Sequence, residues 1–190
     1  FGLLHRLFWF GDILVDYAIL GFGLFLFYRL SALQTAYWAA LFSLLFMGGQ
    51  LTLLATSASS WLQLLAWLSH PNLSIFAMFL WGMAAGKGEL FQHVEHWLPY
   101  LRQLEWAGLI IALPAMIQIL HLFFQAPNEE GEYYRFIYIN LTAIPLALCY
   151  LAFLTRILHR PQVLQRWRPV GDVGRMALTN YLLQTIIGMG

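Results

Sequence analysis

Apolar residues run along this chain in long blocks rather than in alternation with polar ones. Six blocks stand out. The first covers Trp9 to Tyr28 and the second Leu33 to Thr56. The third is less regular: it starts at Trp61 as an interfacial stretch, breaks at His70-Pro71 and spans Leu73 to Gly86. The fourth runs from Trp106 to Phe124 and the fifth from Phe136 to Leu154. A sixth begins near Met176 and is cut short at Gly190. A helix needs about 20 apolar residues to cross the hydrocarbon of a bilayer, and it satisfies its own backbone hydrogen bonds there. The pattern predicts an all-α fold, a polytopic transmembrane helix bundle with about six spans. No repeat or linker divides it, so residues 1–190 read as a single transmembrane helical domain. Phe1 is not an initiator Met, and the last block is truncated. Both features make the chain the C-terminal half of a longer protein, as an expectation.

Composition agrees. The chain is 61% hydrophobic and 10% charged, where soluble domains carry roughly 25% charged residues. Eight Trp within an aromatic content of 17% suit anchoring at two membrane interfaces. The net charge of +1 says nothing about nucleic acid, but the chain has no basic patch interleaved with aromatics, so no nucleic-acid partner is expected. The one cysteine, Cys149, cannot form an internal disulfide.

Charge sets an orientation. Arg156, Arg160, Arg166, Arg168 and Arg175 crowd one loop, whereas Glu129, Glu130 and Glu132 precede the fifth block with a lone Arg135. With the Arg156–Arg175 loop cytoplasmic, alternation of six spans also puts Arg29, Lys87 and Arg102 inside. Only Arg6 and Arg135 fall outside, which satisfies the positive-inside rule along the whole chain.

Polar residues inside apolar blocks are the candidates for chemistry. Asp12 and Asp16 lie one helical turn apart, and His5 shares their face. A carboxylate at membrane depth is costly unless it is paired, protonated or wet, so these three are the candidate catalytic or proton-handling groups. The alternative is a structural bond to another span. Gln50 and Thr52, Gln118 and His121, Tyr138 and Asn140, and Asn180 with Gln184 then all fall toward the outer half. Gln118, His121, Asn140, Asn180 and Gln184 are the candidate substrate-binding residues of a polar cavity there. Ordinary interhelical hydrogen bonding is the competing reading. Arg166, Arg168 and Arg175 are the candidates for an anionic cofactor group, although the positive-inside rule already accounts for their charge.

Other features read as structural. Gly82 and Gly86 form a small-xxx-small pattern for close helix packing. Pro114 and Pro145 are expected to kink their spans. Glu89, His93 and His96 read as a solvated loop helix without metal, since their spacing is not that of a zinc protease motif. Gly171 to Arg175 lacks the Lys-Ser/Thr of a phosphate loop and reads as a turn into the sixth span.

Two stretches carry a resemblance. Gly2-Leu3-Leu4-His5-Arg6 through Phe10-Gly11-Asp12-Ile13-Leu14 is one. Gly174-Arg175-Met176-Ala177-Leu178-Thr179-Asn180-Tyr181-Leu182-Leu183-Gln184 is the other. Both resemble the YeiB family of uncharacterised bacterial inner-membrane proteins, and Met78 to Lys87 is similar to that family's central Gly-rich span. The resemblance implies location in a bacterial inner (plasma) membrane and a full length about twice this one. It also implies distant kinship with membrane acyltransferases that move acyl groups from acyl-coenzyme A to sugars. On that reading no cofactor is bound tightly, acyl-coenzyme A is the donor, and a glycan, lipid or other small molecule is the acceptor. The lipid bilayer is the constant partner. A proton-coupled small-molecule or lipid transporter, and a non-catalytic subunit with membrane-protein partners, are the competing readings.

Overall fold

The structure, a computed structural model, describes residues 13–55, 70–125 and 128–189, and every regular element there is a helix. In chain order these are α1 (Leu14–Gly23, continued as a 3-10 turn over Leu24–Phe27), α2 (Ala32–Leu54), α3 (Pro71–Lys87), α4 (Val94–Gln125), α5 (Glu129–Leu158), α6 (Pro161–Arg175) and α7 (Ala177–Met189). His5, Arg6, Asp12 and the Trp61 stretch lie outside the described residues.

Local signals explain where the helices start. Ser31 Oγ accepts from the Gln34 N–H at 3.2 Å while Gln34 Oε1 accepts from the Ser31 N–H at 2.9 Å. This reciprocal cap satisfies two of the N–H groups that a helix start leaves open. Pro71 stands at the first position of α3, where its missing N–H costs nothing, and His70 Nδ1 accepts from the Asn72 N–H at 3.3 Å. Asn128 caps α5 through the Gly131 N–H at 2.9 Å. Glu129, Glu130 and Glu132 sit in the first turn of α5 and Arg156 in its last, each favourable to the helix dipole.

Helices α2, α4 and α5 are long and apolar enough to cross a membrane; Leu14–Phe27 is a shorter apolar helix, and α3 and α7 have 17 and 13 residues. The protein is a helical membrane protein whose α4 and α5 form the most extensive packed pair. α2 pairs with α3 and also lies on α5, and α1 rests on α3. Phe46, Ala77 and Ile144 meet in the core where α2, α3 and α5 converge. A second cluster joins Val94 and Leu101 of α4 to Ala152 of α5.

Three expectations change. α4 begins at Val94, twelve residues before the apolar block, because Val94 and Leu101 are buried against α5 and extend the helix past the hydrocarbon. At 32 residues it is about 48 Å long. Gly171 to Arg175 is the last turn of α6, not a turn into the next span, and the break falls at Met176. Among the described residues, Gly82 and Gly86 make no close packing: a Cβ on either would meet no described atom within 4 Å. The close approach is at Gly108, buried on α4, where a Cβ would lie 2.5 Å from the Pro145 carbonyl oxygen and 3.0 Å from Cys149 Cβ. α4 and α5 run on through Pro114 and Pro145, the positions where kinks are expected.

Candidate functional site

The ends of α1, α3 and α5 and the beginnings of α2 and α4 gather at one end of the bundle, where most of the basic residues lie. Lys87, in the last turn of α3, donates to the carbonyls of Phe27 at 2.8 Å and Leu30 at 2.7 Å, and to Thr35 Oγ1 at 3.3 Å. It therefore closes the end of the α1 segment and pins the turn into α2. Six residues earlier on α3, Trp81 Nε1 donates to Ser43 Oγ of α2 at 3.1 Å.

Between α4 and α5, Arg156 makes a bidentate pair with Glu105: Nε and Nη2 donate to the two carboxylate oxygens, each at 3.0 Å. The Arg side chain is 31% exposed and the Glu 19%. His159 Nε2 lies 3.7 Å from Glu95 Oε1. Around this pair opens a cleft of about 920 Å³ lined by Arg102, Gln103, Trp106, Arg156, His159 and Arg160. Among the described residues, Glu105 is the one carboxylate that lines it. The guanidinium planes of three arginines around one cleft are a ready receptor for phosphate or carboxylate. On another face of α4, an apolar cavity of about 450 Å³ lies among Trp81, Ala84, Trp97, Leu101, Leu104 and Leu148.

The expected site residues are dispersed. Asp16, half-buried in the first turn of α1, lies about 17 Å from the basic end along that helix. Gln118 and His121 are exposed on α4. Asn140 turns back to the Phe136 carbonyl at 2.9 Å, and Asn180 reaches the Val173 carbonyl at 3.3 Å across the α6–α7 break. Gln184 is exposed on α7. Among the described residues, none of these six side chains hydrogen-bonds to another. Arg166, Arg168 and Arg175 are exposed on α6, and Arg175 lies 3.3 Å from Asp172. His93 pairs with Glu89 at 3.1 Å. Sequence reasoning missed Glu105. The signal was available: Glu105 and Arg156 both stand just beyond the apolar blocks of consecutive antiparallel helices, at one depth.

A family model described as protein of unknown function (DUF418) matches residues 85–190. The chain belongs to the DUF418 family. The matched region holds α4 to α7, with the basic cleft and the Arg175 to Gln184 motif, in agreement with the YeiB-like resemblance. The chain is also similar to the "Uncharacterized protein YxaH" of Bacillus subtilis (strain 168), at 28% identity over 233 aligned residues. That alignment covers 98% of this chain and 55% of the relative. This DUF418 chain thus spans about half the length of the curated relative it matches. No solved structure matches it.

Proposed function

We propose that this DUF418 protein is an acyltransferase-like enzyme of the bacterial inner membrane, loaded by a phosphate-bearing acyl donor such as acyl-coenzyme A at its basic end. One observation carries the reading: Arg102, Arg156, Arg160 and His159 converge on one open cleft. Arg156 is engaged by Glu105, so the cleft keeps the two exposed guanidiniums of Arg102 and Arg160 for an anion. The apolar cavity on the other face of α4 has the size of a small-molecule pocket and suits an acyl chain or lipid tail.

In the transfer, an acceptor hydroxyl oxygen bonds to the acyl carbonyl carbon as the thioester C–S bond breaks, and the hydroxyl proton needs a base. Asp16, with Asp12 four residues earlier in the sequence and His5, is the candidate for that proton. Asn140, Asn180 and Gln184, with Gln118 and His121, are the candidates for orienting a sugar or lipid acceptor. The Arg-rich end is assigned to the cytoplasm on charge placement.

The test uses the full-length protein. Coenzyme A and acetyl-coenzyme A are expected to raise its unfolding temperature, and labelled acetyl is expected to pass to membrane glycans or lipids. Arg102→Gln with Arg160→Gln is expected to abolish the stabilisation. Absence of both stabilisation and transfer would sink the proposal.

A further inference from the structure

The Arg-rich segment was read above as a loop, and it is a helix with a distinct face. α6 opens after Arg160 breaks the helical run with an extended backbone (φ −76°, ψ 120°) and Pro161 takes the first helical position. Val163, Trp167, Val170 and Gly174 recur at i, i+4, i+7 and i+11, with Leu164 and Gly171 beside them, and so form one apolar face. Arg166 borders that face on one side, and Arg168 and Arg175 border it on the other. No residue of α6 is buried, and Trp167, Leu164 and Val170 are 47%, 56% and 59% exposed. The face is therefore uncovered by the described residues. Beside it runs a groove of about 680 Å³ whose floor includes Leu158, Leu164, Trp167 and Gly171, with Arg168 and Arg175 at its edge.

We infer that α6 lies in the plane of the membrane interface, its apolar face in the acyl boundary and its arginines on the phosphates of anionic lipids. An apolar stripe flanked on both edges by arginines is the design of an interfacial helix, because each long side chain can rise from the stripe to the headgroup level. Charge complementarity selects anionic lipid as the occupant: the one acid on α6, Asp172, already lies beside Arg175. Position agrees, since α6 follows directly on α5, one of the membrane-crossing helices. Arg166, Arg168 and Arg175 are thereby assigned to lipid, and the donor cleft keeps Arg102, Arg156 and Arg160. The inference stands on the membrane reading and does not need the acyltransferase reading.

The experiment is a cysteine scan of the full-length protein in a Cys149→Ala background, spin-labelled and reconstituted in phosphatidylcholine with or without phosphatidylglycerol. Labels at Val163→Cys, Val170→Cys and Gly174→Cys should collide more with oxygen than with a water-soluble nickel complex. Labels at Gln162→Cys, Gln165→Cys and Asp172→Cys should do the reverse. Each arginine near an anionic surface is worth roughly fivefold in binding. Arg166→Gln, Arg168→Gln and Arg175→Gln together should therefore shift the ratio of seated to released helix on the order of 100-fold, as should omission of phosphatidylglycerol in direction. Since α6 buries no residue, these variants keep the bundle, which circular dichroism checks. Shielding of the Val163, Val170 and Gly174 sites from both reagents would mean that protein covers the face and overturns the inference. Water exposure at every site, or indifference to phosphatidylglycerol, overturns it equally.

Discussion

Gly108→Ala is the sharpest probe of how α4 and α5 are joined. The added Cβ would sit 2.5 Å from the Pro145 carbonyl oxygen, where ordinary contact begins near 3.4 Å, so the helices must part by roughly 0.9 Å. Neither obstacle can rotate away as a long side chain would: one is a main-chain oxygen and the other the Cβ of Cys149. Overpacking of this kind costs about 1–3 kcal/mol. Alanine also gains up to about 1 kcal/mol over glycine inside a helix, which would blur a single comparison. Gly82→Ala supplies the correction, because it has the same intrinsic gain and open space around its Cβ. The difference between the two variants isolates the clash, and it is expected at about 1–3 kcal/mol. The assay is reversible unfolding of the full-length protein in mixed micelles, followed by circular dichroism at several denaturant concentrations. Equal stability of the two variants would refute the proposed contact between α4 and α5.

Glu105→Gln and Arg156→Gln should each destabilise the protein, and their double-mutant cycle should return a coupling of about 1 kcal/mol; additive losses would deny that the bidentate pair matters. Lys87→Met removes one charged donor from two carbonyls and a hydroxyl and should cost about 2 kcal/mol. Its local signature is faster amide exchange over residues 28–31, and unchanged exchange there would argue against the clip. Ser43→Ala leaves Trp81 Nε1 without its acceptor and should cost about 1 kcal/mol, an effect that should vanish when Trp81 is already Phe. Single cysteines at Glu130 and Gln162 should react on opposite sides of the membrane with an impermeant maleimide; reaction from one side would disprove the assigned orientation.

The helices were legible because apolar blocks of membrane length admit one conformation, and caps such as Ser31-Gln34 and His70-Pro71 fall at the block edges. What the blocks could not reveal was anything that depends on amphipathic continuation. Residues 94–105 are mixed in polarity, so the extension of α4 required knowledge that Val94 and Leu101 meet Ala152. The α6 helix was hidden by Pro169, Gly171 and Gly174, which argue for a turn by propensity. Those glycines instead fall on its apolar face, and the open carbonyl before Pro169 has solvent to accept from. Gly108 and Ala112, both buried on α4, form a small-xxx-small pair that was legible but unread, and Gly108 opposes a carbonyl. The site was less legible still. Depth along the membrane could be inferred for Gln118, Asn140 and Gln184, but the direction in which a side chain points could not. Asn140 and Asn180 turn to main-chain carbonyls, while Gln118, His121 and Gln184 face outward.

Placement of positive charge at one end is enough to orient a membrane protein, but it does not say how the charges are used. Among the described residues seven basic side chains, Arg135 of the opposite end included, divide into two groups, while Arg29 stays beside Tyr28 and Arg175 beside Asp172. Lys87, Arg135 and Arg156 tie elements together: Lys87 holds the end of the α1 segment, Arg135 donates to the Leu122 carbonyl of α4 at 3.1 Å and pairs with Glu132, and Arg156 grips Glu105. Arg102, Arg160, Arg166 and Arg168 are exposed and have no ion-pair partner among the described residues. A topogenic role alone would scatter such residues over that end. Instead two of them line the cleft beside the Glu105–Arg156 pair, and the other two flank the apolar face of α6. Fixed cations build the frame, and the remaining ones are presented in two places where an anion can be met: a headgroup along α6 and a soluble phosphate in the cleft. Neutralising each pair separately distinguishes the two uses. Loss at Arg102 and Arg160 should weaken donor stabilisation without moving α6, and loss at Arg166 and Arg168 should release α6 without touching the donor.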